Sequence, residues 1–147
     1  MSASNTCETA LLNLVFANSN FANVGDATGL RGSSTAGSVY VSLHASDPGE
    51  AGNQTSGTEL SYTGYARVAV ARSGSGWTVS GNSASNAAAI TFGACTAGSG
   101  TAAYFGIGTD SSGTGTLLFS GALTSSLAIS SGITPSFAIG ALTVTAD

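Results

Sequence analysis

The chain has 147 residues, enough for a domain that buries about two-thirds of its unfolded surface without a disulfide or a metal. Charged residues make up 7% of it against 42% hydrophobic, Lys is absent, and three Arg stand in a chain of net charge -4. Too few cations are present for phosphate-driven nucleic-acid binding, and a mean hydropathy of +0.29 with so little charge does not describe a disordered chain.

In chain order, the first expected element is a helix over 5–18. Asn5 reads as its N-cap, and Glu8, three residues on, stands where a capping-box partner belongs. Leu11, Leu14, Val15 and Asn18 follow one face, and Leu12 and Phe16 widen the apolar stripe beyond what a simple surface helix needs. The excess fits either a helix that caps one end of a β core or one that also meets another subunit or a larger assembly. Residues 19–37 carry many turn formers and no periodicity, which predicts a long loop, and such loops tend to be functional or to lie along a partner.

From residue 38 the period changes to two. Val39, Val41 and Leu43 alternate with Tyr40, Ser42 and His44 as in a half-buried strand, and Asp47-Pro48-Gly49 forms a turn. Ala66, Val68 and Val70 are expected to face one way, with Arg67, Ala69 and Ala71 opposite. Further strands are expected at 77–80, 87–92, 116–123, 127–129, 133–139 and 141–145, with another carrying Ala103, Phe105 and Ile107 in phase. Eight or so short strands between Gly, Ser, Thr and Asn turns predict a mainly β fold. The expected class is an antiparallel β-sandwich or jelly-roll-like single domain with one N-terminal α-helix. No fixed-period repeat is present.

Candidate chemistry is sparse. Cys7 and Cys95 lie in no metal-ligand spacing and read as free thiols, with a disulfide left open. No signal sequence precedes the first apolar stretch, and nothing approaches the roughly 18 apolar residues of a membrane span, so the expected chain starts at or near Met1 in a cytoplasm. His44, with Ser42 and Asp47 nearby, is the one histidine a hydrolase could use, yet no nucleophile elbow accompanies it. Asp47, Glu50 and Glu59 share one loop without a specified separation, and Asp47, Glu50 and Asn53 match no calcium loop. Gly98 to Ala103 fits a dinucleotide fingerprint in letters, but opens a strand where that fingerprint needs a helix. Tyr62, Tyr65 and Trp77 could stack on carbohydrate, although so few aromatics are more useful in the core. No catalytic residue, cofactor or metal is expected.

The run from Ser38 to Gly52 (SVYVSLHASDPGEAG), followed in order by 62–70 (YTGYARVAV), 86–92 (NAAAITF), 105–107 (FGI), 118–123 (LFSGAL) and 140–144 (GALTV), resembles a family of small tailed-bacteriophage virion proteins. Members are labelled tail fibre, minor tail or head-decoration proteins. The resemblance implies a virion structural protein without a catalytic motif, assembled in the host cytoplasm. The expected role is a decoration (cement) protein on the outer surface of the major capsid protein, present as a homotrimer. The alternative is a tail-fibre or minor-tail protein meeting a host-surface glycan through loops such as 47–59. An enzyme using His44 and a cellular carbohydrate-binding module are further alternatives. Expected interface residues are Leu11, Leu12, Leu14, Val15 and Phe16 of the helix, with Phe21, Val24, Leu30 and Arg31 of the loop.

Overall fold

The computed structural model describes residues 3–146. Its elements are α1 (Asn5–Phe16), β1 (Ser38–His44), β2 (Val68–Ala71), β3 (Trp77–Ser80), β4 (Ser83–Asn86), β5 (Ile90–Thr91), β6 (Gly100–Gly108), β7 (Leu117–Ile129), β8 (Ser136–Phe137) and β9 (Thr143–Thr145). The strands form sheets in the orders β2-β1-β6-β7, β3-β4-β9 and β5-β8. The fold is mainly β with one N-terminal helix and antiparallel sheets that close into no barrel, the sandwich class that the alternation implies. Two compact units interleave along the chain: 1–38 with 70–90 and 137–147, and 39–69 with 91–136.

In the first unit, α1 starts one residue earlier than its sequence suggests. Ser4 is the N-cap, its side chain accepting from the Cys7 amide at 3.3 Å, because its extended backbone (φ -81°, ψ 153°) aims the hydroxyl at the first turn. Asn5 is already helical. The helix ends at Phe16 and not at 18, since Asn18 takes a left-handed φ of 54°. Leu12 and Phe16 are fully buried, and the Phe16 ring meets Trp77 of β3 at 4.5 Å between centroids. No basic residue stands in the last turn of α1. Arg72 supplies the missing charge from elsewhere in the unit, donating from Nε to the Val15 carbonyl (2.6 Å) and from Nη2 to Leu14 (2.8 Å).

The expected loop 19–37 is a pinned finger. Phe21 and Leu30 form an antiparallel bridge, Asn18 Oδ1 and Nδ2 bond the amide and carbonyl of Ser33, and Asp26 Oδ1 accepts from the Thr28 and Gly29 amides at its tip. Side-chain amides and one carboxylate thus replace a longer strand ladder.

In the second unit, β1 runs antiparallel to β6 with Val41 opposite Ile107 and Leu43 opposite Phe105. Val39, Val41 and Leu43 are buried as their alternation requires, but Ser42 and His44 on the opposite face are fully buried too. The segment after β1 covers that face. His44 reaches its Ser56 carbonyl, and Gln54 lies where a side chain at Gly108 would stand. The Arg67, Ala69, Ala71 alternation fails at its first member: Arg67 precedes β2 and is buried, whereas Ala66 is exposed. A register shift between Ala102 and Tyr104 puts Ala102, not Ala103, in the core alongside Phe105 and Ile107. The two expected strands at 116–123 and 127–129 are one element, β7, but its register skips from Ala122 to Leu127, so a break between the two hydrophobic runs is real. Strand 133–139 shrinks to β8, and Ile139 is 71% exposed.

Gly106 leaves room for the buried polar pair: a Cβ there would stand 2.7 Å from Ser42 Oγ and 2.8 Å from His44 Nε2. Gly106→Ala is expected to destabilise the chain by about 1–3 kcal/mol in urea denaturation, with little change in m-value, because neither neighbour can move without losing its bond.

Candidate functional site

The second unit holds two polar constellations, one sealed and one that reaches solvent through Glu59. Ser42 Oγ stands 2.7 Å from His44 Nε2, and His44 Nδ1 is 2.8 Å from the Ser56 carbonyl. A carbonyl only accepts, so Nδ1 carries the proton and Nε2 accepts from the Ser42 hydroxyl. Sequence placed Asp47 beside this pair, but the structure does not: Asp47 Oδ1 accepts from the Gly49 amide in the turn. Ser42 and His44 are both 0% exposed, so no solvent-borne substrate reaches the hydroxyl in this conformation. Burial pulls the His44 pKa below 6.5, against smaller upward effects of the Ser56 hydrogen bond and the Glu59 charge.

The second constellation centres on buried Arg67. Its Nε and Nη2 hold the two oxygens of Glu59 at 2.6 and 2.7 Å, a bidentate pair with side-chain exposures of 2% for Arg67 and 15% for Glu59. Nη1 donates to the Asp110 carbonyl at 2.9 Å and Nη2 also to that of Gly113 at 2.7 Å, which fixes the 110–113 turn between β6 and β7. Tyr65 donates its hydroxyl to Glu59 Oε1 at 3.0 Å and accepts the Leu43 amide at 3.0 Å. Its burial raises the phenol pKa well above the usual value, so it stays a donor; the Glu59 hydrogen bonds raise that of Arg67, so it stays charged. Above this pair opens a groove of 380 Å³.

Other sequence candidates fall apart in space or serve the fold. Glu59 pairs with Arg67 and not with another carboxylate. Asn53 Oδ1 accepts the Thr55 amide and hydroxyl, which leaves it poorly disposed as a calcium ligand, and among the described residues no cluster of three His, Cys, Asp or Glu forms. Trp77, packed on Phe16, is 1% exposed and Tyr62 5%, so the three aromatics form no exposed platform and only Tyr65 is half-buried. The Gly98 to Ala103 run enters β6, and Cys7 and Cys95 are free thiols. The expected interface residues divide: Leu12 and Phe16 are buried core, and Leu14, Val15 and Phe21 are half-buried. Leu11 (42%), Val24 (43%) and Leu30 (47%) stand exposed, as does Arg31. Sequence reading missed the Arg67–Glu59 pair; eight residues apart in a chain with three Arg, an Arg inside an apolar run was its one available signal.

A family model described as Podophage GP4 fiber I protein gp80 matches residues 2–145. The chain belongs to that family. No curated protein matches it. Family membership makes the chain a phage structural protein of the virion, as the order of its motifs implies, and the match extends over the finger and α1 as well as the strands.

Two measurements probe the site. Arg67→Met strands the Glu59 carboxylate and is expected to cost roughly 3–5 kcal/mol in urea denaturation, more than Arg67→Lys, which keeps the charge but loses the fork. His44 has a depressed folded pKa, so its unfolded form takes up a proton first as pH falls. Stability is therefore full above about pH 6.5 and declines below it, down to the folded pKa; between about pH 8 and pH 5 the His44→Asn variant is expected to show a flatter profile.

Proposed function

We propose that the chain is a fibre subunit of a tailed-phage virion, acting by assembly and surface contact and not by catalysis. The match to the fiber I family over nearly the whole chain carries this reading. Two features of the structure support it. Exposed Leu11, Val24 and Leu30 give the first unit apolar points of contact, and a chain almost without ions loses little solvation when packed against other proteins. The buried Ser42–His44 pair supports a stabilising role for the constellation that most resembles a catalytic one.

A decoration protein on the major capsid protein, as a homotrimer, is the second reading, favoured by the same low charge. Copy number and position separate the two. Antibody labelling and averaging of intact particles are expected to place the chain in a small number of projecting fibres; an even coat of hundreds of copies over the head would overturn the fibre reading in favour of decoration. In either case, Val24→Asp with Leu30→Asp is expected to lower incorporation into particles while leaving the isolated chain folded, as read by particle composition and thermal melting.

A further inference from the structure

We propose that the groove above the Arg67–Glu59 pair binds a neutral, hydroxyl-bearing ligand, a saccharide ring. Its 380 Å³ lies within the roughly 300–1,000 Å³ of small-molecule sites, and every residue that lines it belongs to the second unit. The floor is a fixed, self-neutralised ion pair. An anion entering the groove meets Glu59, a cation finds that carboxylate already neutralised by bidentate Arg67, and a wholly apolar group would strip the remaining solvation from Glu59 without replacing it. A neutral polyol is the chemistry that none of these terms opposes.

The groups present suit such a ligand. Glu59 Oε1 accepts from Arg67 Nε and from Tyr65, whereas Oε2 accepts from Arg67 Nη2. A carboxylate offers about four acceptor positions, so Oε2 retains capacity for a ligand hydroxyl while its orientation is already fixed. Exposed Ser61, Ser111 and Ser112 add hydroxyls that both donate and accept. Half-buried Tyr65, its ring parallel to Phe92 at 6.1 Å between centroids, gives the groove an apolar flank for the C–H face of a sugar ring, and buried Tyr62 backs it edge to face at 5.4 Å. The Arg67 bonds to the Asp110 and Gly113 carbonyls hold the serine-bearing turn in place before any ligand arrives.

This inference goes beyond the fibre reading and does not use it: particle imaging decides the one, solution titration the other. The test is an NMR titration of the isotope-labelled full chain with neutral disaccharides (lactose, maltose, cellobiose), with glucuronate and glucosamine as charged controls, after screening on a neutral oligosaccharide array. Saturable shifts are expected at the amides of Ser61, Ala66, Ser111, Ser112 and Gly113 with at least one neutral sugar, and weaker binding of both charged controls. Ser112→Trp, which fills the mouth without touching the ion pair, is expected to weaken binding by roughly tenfold or more at unchanged melting temperature; Ala66→Trp replaces it if that variant does not fold. Absence of any neutral binder, shifts elsewhere, equal binding of the charged sugars, or undiminished binding with the mouth filled would each overturn the proposal. If binding is found, comparing intact host cells with cells stripped of surface polysaccharide shows whether the sugar is surface-borne or free.

Discussion

The second unit depends on one guanidinium. Arg67 stands just before β2 and holds Glu59, the Asp110 carbonyl and the Gly113 carbonyl at once, while Glu59 in turn orients Tyr65 toward the Leu43 amide of β1. Leu43, Glu59, Tyr65 and the 110–113 turn are thereby tied, directly or through one partner, to a single planar cation. Burying an ion pair is costly unless every charged group finds partners, and here the fork, the carbonyls and the phenol supply them. A Lys could carry the charge but could not hold two carboxylate oxygens and two carbonyls in one plane.

The same solution recurs with less charge. In the first unit Arg72 gathers the last carbonyls of α1 together with that of Ala36, and buried Asn86 donates to the Ala88 and Ala138 carbonyls and accepts the Leu142 amide. In the second, the Gln54 side chain pairs with both the carbonyl and the amide of Asp110. Short strands leave many backbone groups without a ladder partner, and buried ones must be satisfied. Planar amides do so without the desolvation cost of an ion, which is how irregular connections stay ordered in a chain with 7% charged residues.

With those duties assigned, the surface is left nearly ion-free. From Ser111 to Ala146 there is no charged side chain, and β7, at one edge of its sheet, exposes Leu118 and Leu127. Edge strands of free proteins are commonly guarded by charge or Pro; the skip in register between Ala122 and Leu127 interrupts this one instead. Such a surface suits a protein whose working state is an assembly, consistent with a phage structural family, and the neutral groove over Glu59 belongs to the same economy of charge.

The alternation of Val39, Val41 and Leu43, the Trp77–Ser80 strand and the helix with Leu12 and Phe16 were legible because a side chain's face follows from local period alone. Motif order alone likewise pointed to a phage family. Tertiary structure decided what period cannot encode: that the segment after β1 folds back and buries Ser42 and His44 on the nominally polar face, that Asn18 stops α1 by turning left-handed, and that residues 19–37 are pinned by Asn18, Asp26 and Arg72. It alone brought Arg67 to Glu59, since nothing in a spacing of eight residues outside a helix or a ladder predicts contact. Local steric preference is written residue by residue; partner choice for a buried polar group depends on which distant backbone arrives beside it.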